Sequence, residues 1–230
     1  MTTITEPRVE LIAHTTLACD GRSPAIEGHM SLDPDAGDMQ QLVEFAGRAC
    51  YQSFHKPNPK TARNKDYITR TLHEQKHFSI AEHATATFYI TGVSRALLAE
   101  ITRHRHLSFS VLSQRFVDES EANIVVPPAA RGSEKLMWEF ENAATGARHS
   151  YRELVEALLD SGLPRKQARE AARAVLPNMI ETKIVVTGNM RAWHEVIARR
   201  TAPDADAEFQ QVAGLIRDEL KKIAPAIFTD

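Results

Sequence analysis

Two stretches of the sequence carry residues that could do chemistry. Residues His73–His77 read HEQKH and fit the H-E-x-x-H pattern, in which two histidines on one helical face bind zinc and the glutamate is a general base. Residues Arg103–Arg115 read RHRHLSFSVLSQR, which concentrates arginines, histidines and serines. The first pattern is typical of zinc peptidases. The second indicates an anion-binding site.

The zinc interpretation requires a third protein ligand and a helix that reaches the second histidine. The metzincin continuation is absent because Ile80 stands where its glycine belongs, and Glu100 is a distant alternative ligand. Phe78 and Ser79 indicate that the helix ends near His77. Such a pattern also arises readily by chance in a chain with 10 histidines. A zinc peptidase therefore stays a minor hypothesis beside solvated or capping histidines, and we predict no metal site.

The arginine stretch suits a phosphate because guanidinium groups form paired hydrogen bonds to its oxygens. Serine hydroxyls can bind the oxygens that the arginines leave open. Between Arg95 and Arg115 the only opposing charge is Glu100. The alternative is an ordinary solvated basic surface with arginines at a helix end. Nucleotide phosphate is the natural ligand if the stretch is a site.

Composition limits the classes of protein that this chain can be. Its 230 residues suggest one or two domains, and 43% hydrophobic residues suffice for a substantial core. A net charge of -2 gives no overall cationic surface for nucleic acid or for an anionic membrane. Cys19 and Cys50 cannot form a disulfide framework, and the N-terminal residues lack signal-peptide features. We expect a reduced, soluble, cytoplasmic protein.

Hydrophobic periodicity predicts two helices before the HEQKH stretch. The first spans Asp38–Tyr51. Its predicted core stripe consists of Leu42, Phe45, Ala46, Ala49 and Cys50. Asn64 is predicted to cap the second helix, whose buried side carries Tyr67, Ile68, Thr71 and Leu72.

The segments ATATFYITGV and TKIVVTG are predicted strands, because β-branched and aromatic residues alternate in them. Ser94 and Asn189 are predicted to cap the helices that follow them, the second of which extends through Thr201. A long helix is expected from about Ser133 to Leu159, and Pro164 suits the first turn of the next. The last helix is predicted to place Val212, Leu215, Ile216 and Leu220 inward. Because strands do not alternate regularly with helices, we expect an α+β fold in one domain, 1–230.

The arginine stretch fits R-H-R-x-x-S-x-x-x-x-S-x-R at every fixed position, which resembles the signature of the flavin-dependent thymidylate synthases, the ThyX family. The resemblance spans roughly residues 73 to 201. HFSIAEH is similar to another stretch of that family, and LPNMIETKIVVTGNMRAWHEVIARR is similar to its C-terminal flavin and nucleotide segment. It implies a ThyX-like fold of helices around a small, mainly antiparallel sheet.

Members of that family methylate C5 of dUMP with methylenetetrahydrofolate as carbon donor, reduced FAD as hydride donor and NADPH as the reductant of the flavin. The resemblance places FAD-binding positions at His77, Ser79, Arg103, His104, Arg105, Asn189, Arg191 and Glu195. It places nucleotide-binding positions at Glu100, Arg103, Ser113, Gln114, Arg115, Arg173 and Arg200. Arg200 matches the catalytic arginine that polarises the uracil ring. The resemblance also implies a homotetramer with shared active sites.

Two positions depart from the family pattern. Val111 stands where Gln or Glu is usual, and Glu195 stands where Asn or His usually contacts the flavin. We expect Glu195 to point away from the flavin or to pair with Arg191 one helical turn back, while His194 takes over the contact. Because valine removes hydrogen-bonding capacity near the sugar, the alternative is an enzyme that also or mainly accepts UMP, in specialised nucleoside metabolism. A nucleotide-binding regulator without chemistry is a further alternative.

Overall fold

The computed structural model describes residues 4–18, 23–29, 33–55 and 58–229. Four strands lie within these ranges: β1 Arg8–His14, β2 Thr85–Ser94, β3 Leu107–Val111 and β4 Glu181–Asn189. The α-helices are α1 Pro24–His29, α2 Asp38–Tyr51, α3 Asn64–Ile68, α4 Arg95–Ile101, α5 Glu134–Asp160, α6 Arg165–Ala172, α7 Met190–Arg200 and α8 Ala207–Ile223. A π-helical turn, Thr69–Glu74, extends α3, and short 3-10 segments are Phe78–His83, Pro128–Ala130 and Arg173–Val175.

The strands form a sheet in the order β1-β2-β4-β3, and every neighbouring pair is antiparallel. Side chains alternate between its two faces, so that Phe88 and Ile90 of β2 and Ile184 and Val186 of β4 are fully buried. They join the main hydrophobic core with residues from α2, α4, α7 and α8. The expected α+β fold with a small antiparallel sheet is confirmed.

Helix caps fix where α4 and α7 leave the sheet. The Ser94 hydroxyl accepts a hydrogen bond from the Leu97 backbone N–H at 3.0 Å, and Asn189 Oδ1 accepts one from Ala192 at 2.8 Å. Each side chain satisfies a donor that the first turn of a helix leaves free. Both predicted caps are confirmed. They position the helices that carry the candidate site residues.

The predicted core stripe of α2 is confirmed only in part. Leu42 and Ala46 are partly buried and pack against the main core, Phe45 and Ala49 are partly buried, and Cys50 is exposed with a free thiol. The helix instead buries the face that begins at Met39. Cys19 lies outside the described residues.

Polar residues on that buried face explain the error. Arg48 donates to Glu44 at 2.6 Å, and Asn64 donates to the other oxygen of Glu44 at 2.8 Å. Arg48 also donates to the Thr61 carbonyl at 2.8 Å. Buried polar groups that satisfy one another are stable, but a hydrophobicity pattern cannot identify them. Consequently the apolar side of α2, with Phe45 and Ala49, is only partly buried.

Other differences are smaller. Asn64 is the first residue of α3 rather than its cap, and Pro164 is the cap of α6 rather than a residue of its first turn. Leu215 is 38% exposed, although its three predicted companions on α8 are buried. Sequence reasoning missed β1 and β3. In the described ranges no helix is long and apolar enough to cross a membrane.

Candidate active site

Residues from three parts of the chain line an open cleft of about 620 Å³, here called the arginine cleft. Its wall includes Arg95 at the start of α4, Thr102 at the end of that helix, the turn that follows β3, and Arg173 after α6. The lining side chains that matter for chemistry are Arg95, Val111, Ser113, Gln114, Arg115 and Arg173. The structure thus brings together four of the predicted nucleotide-binding positions.

Positive charge in the arginine cleft is only weakly balanced by the protein. Arg115 contacts Glu170 at 3.5 Å, and both side chains are almost half exposed. Arg95 donates through Nη2 to the Leu112 carbonyl at 3.0 Å, while its buried Nε has no partner among the described residues. Burial lowers the pKa of Arg95, the nearby Glu119 carboxylate opposes this shift, and Arg173 lowers the pKa further. An anion in the cleft would relieve the repulsion between these cations.

A second cluster joins α4 to α7 through Arg200. Its Nη1 donates to Glu100 at 2.6 Å and its Nε donates to His104 Nε2 at 3.1 Å. The guanidinium carbon lies 4.6 Å from the centre of the Phe209 ring, which adds a cation–π contact. Arg200 is therefore fixed on several sides.

His104 is kept neutral in this cluster. Burial lowers its pKa, and the positive charges of Arg200 and Arg199 lower it further. Because Nε2 accepts the hydrogen bond from Arg200, the ring proton belongs on Nδ1. Protonation at acid pH would replace this acceptor with a donor and break the contact. The cluster is therefore intact above the lowered pKa and is lost as pH falls through it.

The turn Arg103–His106 lines a smaller cavity of about 190 Å³ against α7, here called the turn cavity. Its wall contains the predicted flavin-binding residues Arg103, His104, Arg105 and Glu195. Arg103 does not line the arginine cleft, although the sequence predicts that it contacts both ligands.

A cavity of about 460 Å³, here called the histidine cavity, also borders α7 and is lined by Lys76, His77, Phe78, Ser79, Arg191, His194 and Glu195. Lys76 adopts a left-handed conformation with φ 60°, which turns the chain sharply before His77. The His194 ring packs on Phe78 with 4.5 Å between ring centres. Burial lowers the pKa of His194, and the charges of His73 and Lys76 lower it further.

Glu195 lines the turn cavity, the histidine cavity and a cavity of about 160 Å³ that contains Asn189. Its carboxylate lies 3.7 Å from Arg191 Nε, so the expected pairing one helical turn apart is present. Glu82 binds the same arginine at 2.5 Å. Two carboxylates therefore neutralise the one arginine of the histidine cavity.

The HEQKH stretch does not have the geometry of a zinc peptidase. The helix ends at Glu74, before His77, so its two histidines do not share a helical face. His73 Nε2 is hydrogen bonded to the Ala226 carbonyl at 2.9 Å. Within the described ranges no three histidine, cysteine or acidic side chains are grouped as around a metal ion.

Arg95 is a cleft residue that the site prediction missed. It is the first residue of α4, where a positive charge opposes the helix dipole. An arginine directly after a helix cap is therefore a signal that favours a functional reason for the charge. Glu119, a buried carboxyl group after the cleft turn, was also missed, and its sequence context gives no such signal.

An α+β protein with an arginine-lined cleft beside histidine-rich cavities is suited to an anionic nucleotide and a second large ligand. Comparisons with known proteins agree. The family model described as thymidylate synthase complementing protein matches residues 34–226. The chain is 48% identical over 237 residues to the flavin-dependent thymidylate synthase of Mycobacteroides abscessus, with 100% of this chain and 92% of the relative covered. Identity to the Mycobacterium tuberculosis protein of that name is 47% over 230 residues, covering 97% of this chain and 89% of the relative.

The fold is also found in a solved structure of thymidylate synthase X from Helicobacter pylori with FAD and dUMP. The TM-score is 0.64 at 20% identity, and the match covers 97% of this chain and 100% of that one. The chain belongs to the flavin-dependent thymidylate synthase family, as its arginine signature indicates.

Proposed function

We propose that the protein methylates C5 of dUMP to form dTMP, with methylenetetrahydrofolate as the carbon donor. The observation that carries this proposal is that a chain of this family has the arginine cleft. Three arginines, Ser113 and Gln114 line a cavity of about 620 Å³, which is within the usual range for a small-molecule site. Arg115 and Arg173 are the proposed phosphate ligands, with Arg95 as a third.

Arg200 is the proposed catalytic residue. Uracil is a weak nucleophile at C5, and a guanidinium near O2 and N3 stabilises the negative charge that develops on the ring as it attacks. Glu100 and His104 hold that guanidinium in place, so little reorganisation is needed during the reaction. The exposed Cys50 thiol lines none of the four cavities described above and has no role in the proposed reaction.

The residues of the turn and histidine cavities fit FAD. Arg103 and Arg105 provide the forked donors that a pyrophosphate requires, and Phe78 and His194 provide flat rings against which an isoalloxazine can pack. Ser79 adds a hydroxyl. When bound, FAD supplies the hydride for the new methyl group after reduction by NADPH.

Asn189 and His77 are also proposed flavin contacts. Asn189 Oδ1 already caps α7, so the Nδ2 group is the part of its side chain that remains to bind a ligand. His77 is exposed in the histidine cavity. Asn189 and His77 line two cavities that share Arg191 and Glu195, so both are proposed to contact the same ligand.

We also propose a homotetramer with shared active sites. The predicted nucleotide and flavin residues line separate cavities of one chain, and the partly buried apolar side of α2 is suited to a subunit contact. Light scattering should give four chains for the active species, and an active monomer would contradict this.

One main core that runs from Met39 to Phe228 supports a single domain. The cytoplasmic location stays a prediction.

The proposed reaction is tested directly with purified protein, FAD, NADPH, methylenetetrahydrofolate and dUMP. We expect a yellow protein that forms dTMP, and no dTMP when the folate is omitted. Cys50→Ser should form dTMP at the native rate. A protein that binds dUMP and FAD but forms no dTMP would indicate a nucleotide-binding regulator, and a colourless protein containing zinc would revive the peptidase.

A further inference from the structure

A buried carboxyl group behind the arginine cleft has no role in the proposed reaction. Glu119 is 3% exposed, and its Oε1 atom has no hydrogen-bond partner among the described residues. The buried Nε of Arg95, on the neighbouring cleft wall, also lacks a partner there. Two side chains of opposite charge thus each leave a buried polar atom unsatisfied. Such atoms are costly and require an explanation.

The groups that face Glu119 identify it as the residue that can change its charge. They come from its own loop, from α4, from β4 and from α5: Asp118, Arg95, Glu181, Lys183 and Tyr151. The two other carboxylates have partners, since Asp118 pairs with Arg169 at 2.7 Å and Glu181 accepts from Gly92 N–H at 2.9 Å. Glu119 has no comparable donor on Oε1.

Its titration falls in the neutral range. Burial raises the pKa of Glu119 to about 7, although Arg95 opposes this shift. In the other direction, burial lowers the pKa of Arg95, and Glu119 opposes that shift. The two charges are therefore coupled, and Arg95 faces both Glu119 and the cleft.

We propose that Glu119 is a positioning residue for the nucleotide phosphate: its carboxylate balances Arg95 before the nucleotide binds, and it takes up a proton when the phosphate enters the cleft. The inference rests on the proposed function, because it requires a nucleotide phosphate beside Arg95. The proton comes from solvent and returns there when the nucleotide leaves. No bond other than this O–H bond forms or breaks.

The direction of the effect follows from charge. A phosphate dianion beside Arg95 disfavours a second negative charge behind it, and such like charges shift a carboxyl titration upward by about one pH unit. Binding therefore weakens as pH rises from below 7 to above 8. Titration of the phosphate itself, whose second pKa is about 6, has the opposite effect on binding. The arginines favour its dianion, so binding of the phosphate releases protons. The sign of the proton exchange separates the two groups.

Calorimetry of dUMP binding to the FAD-saturated protein measures this exchange. At pH 7.5, titrations in two buffers of different ionisation enthalpy should show uptake of roughly half a proton, and affinity should fall about three- to tenfold between pH 6.5 and 8.5. Glu119→Gln should abolish the uptake and flatten the affinity over that range. Glu121→Gln is the matched control: its residue lies in the same loop, pairs with Arg152 at 2.9 Å on the surface, and should retain the uptake.

Native protein alone also tests the proposal, should Glu119→Gln not fold. Uptake must accompany dUMP and be absent with 2′-deoxyuridine, which lacks the phosphate. Proton release, no exchange with dUMP, equal uptake with deoxyuridine, or uptake that persists in folded Glu119→Gln would each overturn it. Failure of the proposed function is a different result, in which the native protein binds no dUMP at any pH or binds it without forming dTMP.

Discussion

The arginine cleft and the histidine cavity both present arginine to a ligand, but the protein balances these charges differently. In the cleft, Arg173 has no close carboxylate partner among the described ion pairs, and Arg115 has one at 3.5 Å. Arg95 faces the buried Glu119 carboxylate behind the cleft. In the histidine cavity, Arg191 lies between Glu82 at 2.5 Å and Glu195 at 3.7 Å.

The difference indicates how each ligand is held. Positive charge that the protein leaves unbalanced is available to a phosphate, so binding in the cleft should be tight and strongly dependent on salt. Charge that is already neutralised contributes little to binding. Flavin in the histidine cavity should therefore be held mainly by ring packing and shape.

Arg200 lines neither of these cavities, but its substitution has the largest expected effect because its proposed role is to stabilise charge on the reacting ring. Arg200→Ala should lower turnover by about two to three powers of ten, the scale of losing one preorganised donor. FAD should stay bound, which the flavin absorption of the purified variant measures. Native turnover, or loss of FAD from a folded variant, would contradict the assigned role.

Arg173→Ala tests the unbalanced charge of the cleft. Loss of one charge-assisted contact should weaken dUMP binding by about ten- to a hundredfold, and should reduce the dependence of affinity on salt. Calorimetry at two salt concentrations measures both quantities. Arg152→Ala is the control, because Arg152 is paired with Glu121 away from the cleft. An equal loss in both variants would remove the distinction between the two regions.

The sequence predicted most elements that position these regions. Ser94 and Asn189 could be identified as caps because a capping side chain bonds a backbone N–H only a few residues later, so the signal is local in the sequence. The signature also grouped Ser113, Gln114 and Arg115, which lie together in the turn that lines the cleft. By contrast, β3 was missed although its alternation of apolar residues with Ser108 and Ser110 is a strand signal.

Features that depend on distant parts of the chain could not be predicted. The buried face of α2 is set by Glu44 and Arg48, whose partners lie on a later helix and loop. Glu119 and Arg95 become neighbours of the cleft only through tertiary packing. A sequence pattern predicts local secondary structure. Burial of a charged residue instead depends on partners that have no fixed spacing in the sequence.

Val111 tests whether the cleft wall discriminates between the deoxyribose of dUMP and the ribose of UMP. It is partly buried, packs against the main core and lines the cleft, so it offers no side-chain hydrogen bond to a hydroxyl group. We expect kcat/KM for dUMP to exceed that for UMP by about a hundredfold or less. Val111→Gln should change this ratio by up to about tenfold, whereas the surface variant Val117→Gln should not. A native preference above about a thousandfold would end the relaxed-sugar hypothesis.

The smallest expected effect comes from relieving the neutralised arginine of the histidine cavity. Glu195→Gln keeps the shape of the side chain but removes a negative charge that faces three cavities and binds Arg191. The pair is 45% exposed on each side, so solvent and salt screen it and the change should not exceed about 1 kcal/mol. FAD affinity should therefore rise by about two- to fivefold at low salt and by less at high salt. Fluorescence titration with FAD measures this, with Glu219→Gln as the control, because Glu219 on α8 pairs with Lys222 at 2.6 Å and lines none of these cavities. Weaker FAD binding in Glu195→Gln would show that the carboxylate is itself a flavin ligand, and that the histidine cavity does not hold its ligand by packing alone.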